Sequence, residues 1–327
     1  MNLMKTFLIF FIFEFFSIIV IIPSIFSEEK NLSEDNYRIY SVEHSEVISI
    51  ERIVEDFGDY DVIFFGEEHN DSVAHYLEWL LLEKLFNTYG ESLALSLEMF
   101  DRDVRVVLDE YLRDKIKEQY LKKDARIWKN YKDYRPMVEF AKEKNLDIIA
   151  ANAPFRYVNL ANSKGQKYLT TLSETAKSFI APLPYDTAVG AYLEKLKDIS
   201  KQIADSLAKK EKAMPDSLKK SKMKPMSMPT YNINQGQSLW DATMAYSIYQ
   251  YREKNPDKKI MHVNGRMHSD DHFGVIQQLK NYDNNIRYLL ISAFPEDSFP
   301  NTDFIQYKNL ADYIIITDPS IPKTFEQ

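Results

Sequence analysis

Residues 61–69 read Asp61-Val62-Ile63-Phe64-Phe65-Gly66-Glu67-Glu68-His69, and this stretch decides the fold. Four consecutive apolar residues predict a strand buried on both faces, the pattern of a parallel sheet between helix layers. Gly66 then permits a sharp turn. Asp71 or Ser72 can cap the helix that follows, through Tyr76, Leu77, Leu80, Leu81 and Leu85 at helical spacing. Strand, glycine turn, polar cluster and helix make half of a βαβ unit.

The same grammar recurs outward from this point. Further strands are predicted at Leu93 to Leu97, Leu146 to Ala150, Lys259 to Val263, Ile286 to Ile291 and Asp312 to Ile316. Helical patterns lie between them: one carrying Val104, Val107, Leu108, Tyr111 and Leu112 with Asp101 as its cap, one from Arg135 to Lys144, and one from His272 to Lys280 whose start is marked by Asp270 and Asp271. The fold class is α/β, a mostly parallel central sheet with helices on both faces. From Pro154 to Gln235 the pattern is helical without strands, so 156–235 is read as a helical insertion serving as a lid over the sheet. Leu193, Leu196, Ile199, Ile203 and Leu207 define an amphipathic helix within it. Lysines crowd Lys195 to Lys224, and Met214, Met223, Met226 and Met228 follow. The choice there is between a solvated loop and a soft basic wall for an apolar anionic ligand.

Composition narrows the function. The 327 residues are 28% charged and 45% hydrophobic, with a net charge of −8 and no cysteine. Thiol nucleophiles, disulfides, zinc ribbons and iron–sulfur clusters are thereby excluded, and the acidic balance gives no footprint for nucleic acid. Residues 1–27 carry Lys5 and an apolar run from Phe7 to Phe26, and read as a signal peptide or an N-terminal membrane anchor. A polar leader, 28–59, precedes the domain of 60–327.

Parallel strands present their carboxyl ends on one edge, where ligands of such sheets bind. Here the strand ends supply Glu67, Glu68 and His69, then Glu98, then Asn152 and Arg156, then His268. His69, Glu98 and His268 form a ligand set for Zn, Mn or Fe, with Glu67 or Glu68 as base on a bound water or as the holder of an imidazole tautomer. The plain alternatives are a turn-capping His69 and a Glu98 paired with Arg102 or Arg105. His75 and His272 read as surface or supporting residues, His262 as core packing, and His44 as part of the leader.

Gly66-Glu67-Glu68-His69, Glu98, Ala151-Asn152-Ala153-Pro154, Leu239-Trp240-Asp241-Ala242-Thr243-Met244-Ala245 and Asn264-Gly265-Arg266-Met267-His268 with Gly274 together resemble the bacterial ChaN family. Its superfamily includes the Tiki and TraB proteins and is related in fold to the erythromycin esterases. The resemblance implies an exported haem-binding protein of iron uptake, in the periplasm or cell envelope, with a homodimer enclosing the ligand. His69, Glu98 and His268 match the superfamily's active edge, and Asn152 with Arg156 match the third-strand motif. This chain has no cysteine to lipidate, unlike many members. Its insertion has no histidine, so an iron ligand there must be tyrosine or methionine, with Tyr157, Tyr185, Tyr192 and Tyr231 as candidates. Haem or another iron porphyrin is thus the first expectation, with His268 also at its site. A hydrolase of peptides or esters, using Glu68 and His69 with or without a divalent metal, is the second.

Overall fold

Each of the six apolar runs is a strand, and each continues past its expected end: β3 (Val62–Glu67), β4 (Leu93–Asp101), β5 (Ile148–Asn152), β6 (Lys259–Gly265), β7 (Tyr288–Pro295) and β8 (Tyr313–Thr317). The structure is a computed structural model that describes residues 32–213 and 233–325. The extension has a chemical consequence. Glu67, Glu98 and Asn152 lie within the sheet, where their polar groups must find partners out of water.

Two strands were not foreseen. β1 (Tyr37–Ser41) and β2 (Glu46–Ile48) fall in the stretch read as a polar leader, and β1 pairs antiparallel with both β2 and β8. β1 alternates between buried and half-exposed residues and β2, at the edge, has none buried, so no apolar run announces them. The sheet order is β2-β1-β8-β7-β3-β6-β4-β5, with every pair from β8 to β5 parallel. β3 therefore lies between β7 and β6, near the middle. In β4 the register against β5 jumps from Leu97 opposite Ala150 to Asp101 opposite Asn152, a bulge that sets Glu98, Met99 and Phe100 off the regular ladder.

One face is covered by α1 (Ile50–Asp56), α2 (Ser72–Tyr89) and α5 (Tyr131–Glu143), the other by α9 (Ile233–Lys254) and α10 (Val275–Tyr282). Asp71 caps α2 as expected, its Oδ1 accepting from the Val73 and Ala74 amides at 2.9 and 3.2 Å. Leu77, Leu81 and Leu85 from α2 are fully buried, each stabilising the core by roughly 1.5–3 kcal/mol. Asp101 caps nothing. β4 runs on through it, a 3-10 turn intervenes before α3 (Arg105–Leu112), and its carboxylate meets Arg126 at 3.0 Å. α10 likewise starts later than expected, because Asp271, His272 and Gly274 all have positive φ.

The insertion is helical: α6 (Phe155–Lys164), α7 (Glu174–Lys177) and α8 (Gly190–Ala213), with α4 (Glu118–Asp124) belonging to the earlier layer. α8 packs through Tyr192, Leu193 and Leu196 against Met267 and Phe273, beside the turn after β6, so the first part of the predicted amphipathic face is turned inward. The methionine-rich stretch, Tyr231 and residues 1–27 lie outside the described residues.

His262, in the middle of β6, is the core residue it was expected to be. It is fully buried, bonds the Ser96 hydroxyl at 2.8 Å, and burial pushes its pKa down to about 3. Such a group stays neutral in the fold yet takes a proton on unfolding, so stability falls as the medium drops below its unfolded value of 6.5. Between pH 6.5 and pH 5 this amounts to about 2 kcal/mol. Urea titration at a series of pH values should show a shallower acid loss in His262→Gln than in the parent chain; identical slopes would remove His262 from the acid response.

Candidate ligand-binding site

At the carboxyl edge of β3, β4, β5 and β6 lies a cavity of about 500 Å³. His69, Glu98, Asn152 and His268 all line it, so the four residues read from separate strand ends do meet at one place. Trp128, Phe155, Trp240, Met99 and Met267 supply its apolar walls, and Arg126 stands at its side. A cleft of about 580 Å³ lies elsewhere, between α3, α9 and the outer edge of β5, and no imidazole lines it.

His69 is held from below. Its Nδ1 meets Glu67 Oε1 at 2.7 Å, and the Tyr134 hydroxyl donates to the same oxygen at 2.7 Å. Trp128 packs edge-on against the ring at 5.0 Å, and 29% of the side chain is exposed, on the cavity side. Burial alone would lower the pKa of His69; hydrogen bonding and charge from Glu67, with Glu98 adding, raise it instead to about 9. Burial likewise works against ionised Glu67, and the imidazoles of His75 and His69 hold it well below the usual carboxylate range.

His268 is held from the opposite helix layer. Its Nδ1 meets Asp241 Oδ1 at 2.6 Å, and the Tyr192 hydroxyl donates to Asp241 Oδ2 at 2.7 Å. Its Nε2 lies 3.7 Å from Glu98 Oε1. Against the cost of burial, Glu98 and Asp241 raise its pKa. Glu98 Oε2 accepts the Gly265 amide at 2.7 Å, so the salt bridge to Arg102 or Arg105 does not form; Arg102 goes to Ser247 and Gln250 and Arg105 to Asp109.

Two glycines are demanded by this crowding. A Cβ on Gly265 would fall 2.7 Å from His69 Nε2, and one on Gly274 would fall 2.3 Å from the His268 carbonyl. Both turns must pass close to the imidazoles.

The remaining expectations divide. Glu68 does not partner His69: it is turned toward Arg266 at 3.4 Å, because β3 extends to Glu67 and side chains alternate along a strand. Glu67 takes that place. Among the described residues, His69, Glu98 and His268 do not bring three ligand atoms together; the group that does, within 4.8 Å, is Glu67, His75 and Glu78. Glu98 Oε2 is taken by the Gly265 amide, and its Oε1 stands 3.7 Å from His268 Nε2 without a third donor joining them. His75 is accordingly buried, not a surface residue, whereas His272 is half-buried against Tyr288 and His44 is exposed beside Arg52.

Of the tyrosines, Tyr185 donates to the Gln235 carbonyl at 2.9 Å, Tyr192 serves Asp241, and Tyr157 stacks with Arg156. None of these three lines the cavity. Arg156 pairs with Asp103 at 2.6 Å and is likewise absent from the lining, while Asn152 is present. Sequence reasoning gave no role to Trp128, Tyr134 or Asp241. The signal for Asp241 was a carboxylate on a helix whose face is otherwise almost wholly buried.

Fold and cavity define an α/β protein with a cavity at the carboxyl ends of its strands. The model of the haem-binding uptake family ChaN, of the Tiki superfamily, matches residues 53–279, and the chain belongs to that family. A solved structure of cofacial haem binding to ChaN of Campylobacter jejuni is similar over 87% of this chain and 98% of that one, at 16% identity and a TM-score of 0.58, which shows a shared fold. A Bacillus cereus protein aligns at 12% identity over 86% of this chain and 94% of its own, with a TM-score of 0.45. An erythromycin esterase mutant in its open conformation aligns at 12% identity over 86% and 83%, with a TM-score of 0.42. No curated protein matches.

The raised pKa of His69 makes a direct prediction. Its contribution to stability is fully present below pH 6.5 and fades as pH rises through about 9. NMR titration of the imidazole should show Glu67→Gln bringing His69 down by one unit or more, roughly 1.4 kcal/mol per unit. An unchanged midpoint would mean that Glu67 does not govern the ring.

Proposed function

We propose that this protein binds haem or a related iron porphyrin in the cavity at the strand edge, as an exported component of iron uptake. The observation that carries the reading is the pairing of an apolar aromatic and thioether wall with one imidazole nitrogen left for a ligand. Family membership supports the same ligand class. Trp128, Trp240, Phe155, Met99 and Met267 suit the faces of a macrocycle, whose burial contributes about 25 cal/mol per Å² before ordering costs. His69 is the axial ligand in this proposal: Glu67 fixes Nδ1 and leaves Nε2 as the donor. Tyr157, Tyr185 and Tyr192 give way to it because their hydroxyls are engaged or remote, and Tyr231 lies outside the described residues. Arg126 and Asn152 are the polar groups for the propionates. A second copy of the chain covering the open side, and export or membrane attachment through residues 1–27 to the periplasm or cell envelope, belong to the same proposal.

Titrating the purified chain with haemin should give a saturable Soret shift. Iron must displace a proton from His69, so affinity should rise up to about tenfold per pH unit toward pH 9. His69→Ala should weaken binding and flatten that dependence. No saturable shift in the parent chain would overturn the haem reading; loss of the shift only in Tyr231→Phe would move the ligand to that tyrosine.

One observation favours a second reading, a hydrolase of small esters or peptides. Two imidazoles, each backed by a buried carboxylate, face one cavity, an arrangement suited to acid–base catalysis with Glu67 in place of Glu68. Its signature would be ester hydrolysis that rises with pH toward about 9 as His69 loses its proton, and that His69→Ala abolishes.

A further inference from the structure

Beneath the cavity, Glu67, His75 and Glu78 meet in the interior, and neither the haem reading nor the hydrolase reading uses His75 or Glu78. His75 and Glu78 stand three residues apart on α2 and therefore share a face, which points at the end of β3 where Glu67 sits. All three side chains are closed to solvent. His75 Nδ1 lies 3.0 Å from Glu67 Oε2 and 3.3 Å from Glu78 Oε2.

The hydrogen bonds of His75 set its tautomer. Its Nε2 lies 3.2 Å from the His69 carbonyl, which can only accept, so the ring proton belongs on Nε2. In the neutral ring, Nδ1 then presents a lone pair to two carboxylates. Three electron-rich atoms in one buried space need protons or a cation among them, and a cation can supply the charge for all three at once. A single proton on Nδ1 serves one carboxylate and leaves the other contact unanswered. Glu67 Oε2 and Glu78 Oε1 in fact accept no hydrogen bond, although Glu67 Oε1 is fully engaged by His69 and Tyr134.

We propose that Glu67, His75 and Glu78 form a buried binding site for one divalent first-row metal ion, separate from the ligand cavity. The donor set, one imidazole nitrogen and two carboxylates, suits Mn²⁺, Fe²⁺ or Zn²⁺. Bonds of about 2.0 Å in a tetrahedral site place ligand atoms about 3.3 Å apart, close to the two separations found here. The doubly charged ion neutralises both carboxylates, and Glu78 Oε1 is free to serve as a further donor. The His69 carbonyl that receives Nε2–H also accepts from Asn130 at 3.2 Å, the kind of outer hydrogen bonding that orients a metal-binding imidazole. Because Glu67 also holds His69, the ion would draw charge from the carboxylate that governs the cavity imidazole. Being enclosed, the ion enters as the chain folds, so metal and stability are linked.

The test uses the full chain, stripped with a chelator in denaturant and refolded with Zn²⁺ alone or Mn²⁺ alone. After desalting, elemental analysis should find about one ion per chain, with the melting temperature raised by the ion in the parent protein. Glu78→Gln should lower metal affinity by tenfold or more, and His268→Ala should retain the metal. Should Glu78→Gln fail to fold, Co²⁺ on the unaltered chain answers instead: paramagnetic shifts on the His75 ring protons support the site, and their appearance on His268 instead overturns it. No retained ion with no change in melting temperature, or an ion lost with His268→Ala and kept by Glu78→Gln, also overturns the proposal.

Discussion

The carboxylate of Glu67 is buried in a strand flanked on both sides by other strands, and it cannot turn to water. An unpaired charge in that position would cost several kcal/mol, so the surrounding chain must supply partners. They arrive from three places: His69 from the turn after β3, His75 from α2, and Tyr134 from α5. One desolvated group thereby ties the middle of the sheet to the two helices of one layer and to the floor of the cavity. α2 and α5 are packed by their leucines, valines and aromatics, but their seating relative to the strand end is set by this polar junction.

The other layer solves a matching problem. Asp241 on α9 is buried, takes the Tyr192 hydroxyl from α8, and grips His268 on the turn after β6. The cavity thus lies between two imidazoles anchored from opposite faces of the sheet, with Glu98 on β4, the strand beside β6. Rigid anchoring matters more than proximity here, since a ring whose Nδ1 is committed to a buried carboxylate has one nitrogen left and a fixed direction for it. Gly265 and Gly274 are the backbone's concession to this arrangement, as any side chain at either would occupy space already taken.

How much of this was legible follows from the physics of each element. β3, β4, β6 and β7 are buried on both faces, and burial writes itself as an uninterrupted apolar run. β1 has one wet face, and β2, at the edge, has no buried residue at all, so nothing separated them from a polar leader. The convergence of His69, Glu98, Asn152 and His268 followed from parallel topology alone. The choice of Glu67 over Glu68 did not, because it turns on the strand continuing two residues beyond its apolar run. The tyrosines failed for a different reason. A tyrosine on an amphipathic helix and one that ligates iron have the same local pattern, and only the partner of the hydroxyl distinguishes them. Trp128 comes from the connection between α4 and α5, where no periodicity reports on what a side chain faces.

The electrostatics of the cavity run against those of the chain. The protein carries a net charge of −8, yet both imidazoles at the site have pKa values raised above their ordinary range, His69 to about 9. The charges responsible are Glu67 and Asp241, which lie behind the rings, and Glu98, which lines the cavity beside them. What the cavity presents is therefore two imidazoles and aromatic surface, flanked by Glu98 and by an Arg126 already paired with Asp101 and Asp103. A flat, largely apolar molecule with a centre that takes a nitrogen lone pair would use both the aromatic wall and a ring, which is what the proposed iron porphyrin requires, and the carboxylate behind each histidine is the means of holding its remaining nitrogen in place.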